Sequence, residues 1–139
     1  MQKIISIDYG RARIGLAISD QNQIIAFPLK YVKTTRDLKK SAQELSVFLS
    51  TLDIEKIILG LPLLLNGKDS ELTKEVRLFG KYLEENLGKP IILWDERLTS
   101  KQAEKFLIEN NVRRKERTSI VDTMAATLIL QSYLDSIHL

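Results

Sequence analysis

The period of the hydrophobic pattern changes part-way along the chain, and this constrains the fold more than any single residue does. Three strand-like runs, residues 2 to 8, 13 to 19 and about 24 to 32, follow one another through connections of a few residues. Connections that short leave no room for a crossover, so these runs should form an antiparallel meander. Pro28 lies within the third run and has no N–H for a ladder, which predicts an edge strand or a bulge. From about residue 35 the spacing becomes helical, with Leu38, Ala42, Leu45, Phe48 and Leu49 in register over residues 35 to 51 and Leu52 just after them. A short strand from Lys56 to Leu59 follows, then a helix of about residues 69 to 87 stopped by Gly88, and a strand of about Pro90 to Trp94. Thr99 and Gln102 fit a capping box opening a helix of about residues 99 to 109, and a last helix spans about residues 118 to 136. The order βββαβαβαα predicts an α/β fold: a five-stranded mixed sheet with right-handed crossovers and helices on both faces. At 139 residues with no long Pro/Gly/Ser linker, residues 1–139 are expected to form one domain.

Three acidic residues stand where a folded chain normally avoids them. Asp8 ends the apolar run Lys3-Ile4-Ile5-Ser6-Ile7, and Asp95-Glu96 ends Ile91-Ile92-Leu93-Trp94. Both sit at the carboxyl ends of strands, where open α/β sheets bind ligands. Asp122 lies in the apolar helix from Ser119 to Leu130, with Ala125, Ala126 and Ile129 on its own face. Each has an ordinary alternative: Asp8 capping its own turn, Asp95 and Glu96 favouring a helix dipole, and Asp122 closing a first-turn cap with Ser119. Together, carboxylates gathered in a partly desolvated site repel one another and take up protons unless a cation holds them. Side chains alternate at a strand end, so one of Asp95 and Glu96 faces the site, and Glu96 has the longer reach.

The chain has no cysteine, and its one histidine is His138, which excludes thiolate chemistry and makes Ser–His mechanisms improbable. Oxygen donors alone suit Mg²⁺ or Mn²⁺, and two such ions about 3.5 to 4 Å apart can hydrolyse a phosphodiester without a protein nucleophile. Asp8, Glu96 and Asp122 are the candidate ligands. Net charge is only +3, but four cations cluster as Arg113, Arg114, Lys115 and Arg117 in what reads as a loop, and Arg11 and Arg13 follow Asp8. Scattered surface charge is the plain reading of either cluster alone; two of them beside acidic positions favour a nucleic-acid backbone near a metal site. Few aromatic residues line the proposed edge, so base stacking should be weak. Gly10 would permit a positive φ and close approach of substrate to the turn, and Gly15 interrupts the second strand as glycines do where a backbone or ligand comes near. Leu63, Leu64 and Leu65 follow Gly60-Leu61-Pro62, either buried beneath a helix, the favoured reading, or forming a contact lip. No 18-residue apolar run exists and the chain enters a strand pattern at once, so a cytoplasmic protein without a membrane partner is expected.

Four motifs in order carry a family resemblance: Ile7-Asp8-Tyr9-Gly10 with Arg13-Ile14-Gly15-Leu16-Ala17-Ile18-Ser19-Asp20, then Gly60-Leu61-Pro62, then Asp95-Glu96-Arg97-Leu98-Thr99, then Asp122-x-x-Ala125-Ala126-x-x-Ile129-Leu130. They closely resemble the YqgF (RuvX) family of the ribonuclease H-like superfamily over nearly the whole chain. The resemblance implies a ribonuclease H-like fold, a cytoplasmic bacterial nuclease that matures the 5′ end of pre-16S rRNA, and an acidic site at Asp8, Glu96 and Asp122. Related RuvC resolvases carry their second acid on the fourth strand, where this chain reads Ile57-Ile58-Leu59-Gly60, so Glu96 would substitute from the neighbouring strand. Cleavage of branched DNA as a homodimer, a non-catalytic RNA-binding assembly factor, and a sugar-kinase or actin-like ATPase are the alternatives. The last needs a second domain that this chain is too short to supply.

Overall fold

The computed structural model describes residues 2–97 and 114–138, with side chains in the second stretch described from Thr123 onward. The strands are β1 (Lys3–Tyr9), β2 (Arg13–Ser19), β3 (Ala26–Lys33), β4 (Ile54–Leu61) and β5 (Ile91–Asp95), and the helices are α1 (Leu38–Leu49), α2 (Glu71–Leu87) and α3 (Arg114–Ile137). The helix expected over about residues 99 to 109, with its Thr99/Gln102 cap, lies outside the described residues.

One sheet runs in the order β3-β2-β1-β4-β5. β1 pairs β2, and β2 pairs β3, antiparallel, as short hairpin connections require. β4 lies parallel to both β1 and β5, each connection passing through a helix. The expected five-stranded mixed α/β sheet is what forms. Pro28 satisfies both readings made of it: β3 is an outer strand, and its register with β2 shifts between Leu16 and Ala17, which face Lys30 and Pro28.

Strand alternation divides the core into two layers. Ile5, Ile7, Tyr9, Ile14, Leu16, Ile57 and Leu59 pack with Ala42, Leu45 and Leu49 of α1 and Val76, Phe79 and Leu83 of α2. Ile4, Ala17 and Ile58 point the other way and pack with Ala126, Ile129, Leu130, Tyr133 and Leu134 of α3. Helices therefore cover both faces. α1 begins at Leu38 rather than residue 35 because Asp37 is its N-cap, accepting from the backbone N–H of Lys39 and Lys40 at 3.0 and 3.3 Å. In α2, Ser70 and Thr73 form a reciprocal capping box, and Gly88 ends the helix at φ 64°.

α3 departs from expectation at its start. Helix is already formed at Arg114, the first described residue of this stretch, so Arg114, Lys115 and Arg117 belong to helix rather than to a loop, and the Ser119-to-Asp122 segment is not a cap. Arginine, lysine and glutamate are good helix formers, and their charge alone had argued for a loop. Asp122 thus lies about two turns inside the helix instead of at its tip. No helix among the described residues is long and apolar enough to cross a membrane.

Candidate active site

Asp8 is the last but one residue of β1. Ile7 and Tyr9 face α1 and α2, so alternation puts Asp8 on the α3 face at the carboxyl edge of the sheet. Its antiparallel partner on β2 is Gly15. On the other side β4 ends in Gly60 and Leu61, and β5 in Trp94 and Asp95, in matching parallel register.

Glu96 follows β5 and turns back over β4. Its backbone N–H donates to the Leu61 carbonyl at 3.3 Å, and its carboxylate lies against Gly60, in the space a Cβ on that residue would take. There it is hydrogen-bonded to Asp8. Burial, then the Asp8 charge and the bond to Asp8, then the nearby Asp95 charge, push the Glu96 carboxyl up to about 9. Near neutral pH, Glu96 without a cation therefore keeps a proton and donates it to the Asp8 carboxylate. Asp95 is different: exposed, it accepts from Arg97 Nε at 2.8 Å and from the Arg97 backbone N–H at 3.1 Å, and the guanidinium holds it below the usual carboxylate range. Of the two adjacent acids, Glu96 faces Asp8.

α3 reaches this edge in a fixed register. The buried Ser6 hydroxyl donates to the Ala126 carbonyl at 2.6 Å. At the far end, a His138 ring nitrogen lies 2.7 Å from the Gln23 carbonyl, and the Gln23 amide donates to Gln2 at the start of β1. The helix thus runs antiparallel to β1. Its backbone at Asp122 is one turn, about 6 Å, from Ala126. Asp8 lies two residues, about 7 Å, beyond Ser6 in the same direction along the sheet. The Asp122 side chain lies outside the described residues. Among those residues no group of three or more His, Cys, Asp and Glu side chains is placed to hold a metal ion.

Of the two basic clusters, Arg11 and Arg13 beside Asp8 have different neighbours. Arg11 Nε pairs with Glu75 of α2 at 3.3 Å, and Glu75 also accepts the Tyr9 hydroxyl at 2.7 Å, on the face opposite Asp8. The Tyr9 hydroxyl is accordingly pushed well above its ordinary value, chiefly by burial and by that carboxylate. The Arg13 guanidinium lies 5.9 Å from the Tyr31 ring. Arg113 is outside the described residues, and Arg114, Lys115 and Arg117 are placed as helix backbone only.

Two smaller expectations are corrected. Gly10 does not have a positive φ; among the described glycines only Gly67 and Gly88 do. Its small size matters instead, because a Cβ would lie 2.6 Å from the Arg13 carbonyl oxygen. The leucines after Pro62 are not all buried either: Leu63 packs on the α1/α2 core layer, but Leu64 and Leu65 are 46% and 76% exposed. The tight turn Leu64–Lys68, with Gly67 at φ 83°, holds them outward, and Arg97 Nη1 donates to the Leu65 carbonyl at 3.2 Å. Sequence reasoning missed Ser6, and quoted Gly60 only within a motif without giving it a role; the signal at both was a small residue inside an otherwise apolar strand.

Two oxygen donors in contact, one protonated because it is buried beside the other's charge, suit a hard divalent cation that would displace that proton. The chain is also similar to known proteins over most of its length. A family model described as "RuvX: Holliday junction resolvase" matches residues 2–136. A protein of Protochlamydia amoebophila, described as "Putative pre-16S rRNA nuclease", is 46% identical over 143 residues, covering 96% of this chain and 93% of its own length. A protein of Syntrophus aciditrophicus with the same description is 40% identical over 135 residues, covering 97% and 89%. Among solved structures, T. thermophilus RuvC in complex with a Holliday junction substrate superposes with a TM-score of 0.59 at 16% identity, over 99% of this chain and 96% of that one, a likeness of fold.

Proposed function

Because this chain belongs to the RuvX family, a family of phosphodiester-hydrolysing nucleases, we propose that it is a divalent-metal-dependent endonuclease acting on structured RNA, in processing of the 5′ end of pre-16S rRNA. The observation that supports this most is the Asp8–Glu96 carboxyl pair at the carboxyl edge of the sheet. Asp8, Glu96 and Asp122 would hold Mg²⁺ or Mn²⁺. When bound, such a cation lowers the pKa of an attacking water and neutralises charge developing on the phosphodiester. The chain's own residues do the rest. Asp8 is fixed by its place on a central strand. Glu96, protonated without a cation, would hold one in its ionised form. Ser6 holds α3, and with it Asp122, in register with β1. Gly10 keeps the β1–β2 turn tight, while Arg13 and the Arg113, Arg114, Lys115 and Arg117 cluster steer the anionic strand; Arg11, paired with Glu75 on the other face, stands apart from that path.

The test incubates purified protein with a pre-16S rRNA 5′ precursor fragment and, separately, with a four-way DNA junction, in Mg²⁺, in Mn²⁺ and in chelator. The proposal expects cation-dependent cleavage of the RNA at a defined position, lost in Asp8→Asn. Cleavage confined to the junction would assign the site to branched DNA, with a homodimer spanning it. RNA binding that weakens with salt but yields no product would make the protein an assembly factor.

A further inference from the structure

We propose that Gly60 is a positioning residue of the nuclease site: the side chain missing from the end of β4 is the space through which Glu96, arriving from the neighbouring strand, reaches Asp8. The consequence for catalysis rests on the function proposed above; the placement of Glu96 does not.

β4 reads Ile54-Glu55-Lys56-Ile57-Ile58-Leu59-Gly60-Leu61, and Ile57, Ile58 and Leu59 are fully buried. Such a position favours a β-branched or large apolar residue, and glycine there weakens the strand. Backbone conformation does not explain it, since Gly60 is not among the glycines of positive φ. Space does. A Cβ on Gly60 would run into Glu96 Oε2, would lie 3.2 Å from Glu96 Cδ, and would stand 2.7 Å from Ile129 Cδ1 of α3. Parallel pairing of Ile7 with Leu59 puts Gly60 beside Asp8 on the same face. A side chain at 60 would therefore occupy the ground over which the two carboxyls meet. Both atoms it would strike are the far ends of flexible side chains, so a methyl group should move them rather than unfold the sheet. The Ile129 end can shift within an apolar layer. The Glu96 carboxylate cannot shift without leaving Asp8.

The experiment compares wild type, Gly60→Ala, and Gly60→Ala with Ile129→Val, the last relieving the helix contact while keeping the carboxylate contact. Crystal structures without added metal should show Glu96 out of hydrogen-bonding reach of Asp8 in both variants. Steady-state cleavage of the rRNA precursor in Mn²⁺ should show kcat down roughly a hundredfold, the scale of a misplacement of about 1 Å, with KM within about twofold. Ile129→Val should raise the melting temperature of the alanine variant without restoring kcat. A Gly60→Ala structure that keeps the Asp8–Glu96 bond overturns the inference, as does a kcat recovered by Ile129→Val. If wild type itself cleaves nothing in any cation, the proposed function falls, and the crystallographic position of Glu96 still decides the role of Gly60.

Discussion

At the scale of single residues, the site is organised by one electrostatic conflict. Asp8 and Glu96 are held in contact by strands from opposite ends of the chain, and only one of them is charged near neutral pH when no cation is present. Folding stability should then depend on pH with a definite sign. Below about 4.5 the Glu96 carboxyl is protonated in folded and unfolded chains alike; above it the unfolded chain releases the proton, while the folded one keeps it up to about 9. The contribution is therefore fully present at low pH and is lost progressively between those values. Urea midpoints of chelator-treated protein should fall across that window, and Glu96→Gln should flatten the slope. Asp8→Asn removes one of the causes, second to burial, that raise Glu96, so it should also shrink the slope in part while reducing cleavage by at least about 10³-fold. A wild-type slope unchanged in Glu96→Gln would mean another group controls it.

At the scale of elements, α3 carries most of what holds the site in register. Its packing against the sheet is apolar and small-residued around Ala125 and Ala126, both fully buried, and such a face admits sliding unless something polar fixes it. The Ser6 hydroxyl on the Ala126 carbonyl is that fixture. Ser6→Ala should cost about 1 kcal/mol in urea unfolding, the net worth of one buried hydrogen bond. It should also lower kcat more than that loss explains at a temperature where the variant is fully folded. Equal activity in the two proteins would show that apolar packing alone sets the register. What the sequence made legible follows from the same elements. Asp8 and Glu96 were readable because strands expose their period within a few residues, and a carboxylate ending an apolar run breaks that period visibly. The start of α3 was not, because charged helix formers look the same in a surface loop as in a solvated helix turn. The divergence of Arg11 from Arg13 was hidden as well, since it depends on Glu75, a partner supplied by a distant helix.

For the whole molecule, a cation should act as a staple between the two halves of the sheet, the antiparallel one that supplies Asp8 and the parallel one that supplies Glu96. Mn²⁺ should raise the melting temperature of wild type and do so more at pH 8 than at pH 5, because binding competes with the proton on Glu96. Differential scanning fluorimetry with and without chelator measures this, and a shift independent of pH would place the cation elsewhere. The leucine loop was misread for a reason that also belongs to this scale: exposure of Leu64 and Leu65 follows from a turn closed by Gly67 and from Arg97 reaching across from beyond β5, neither visible from the loop's own composition.

The division of the sheet also fixes an order of assembly. The hairpins β1–β2–β3 join neighbours in the chain and can close early, whereas β4, β5 and α3 must return from far along it. A growing polypeptide therefore displays Asp8 long before Glu96 and Ala126 exist to meet it. On the proposed function, with Asp122 as a cation ligand, hydrolytic competence would arrive only with α3, and a copy still lacking that helix on the ribosome would not yet be able to cut RNA.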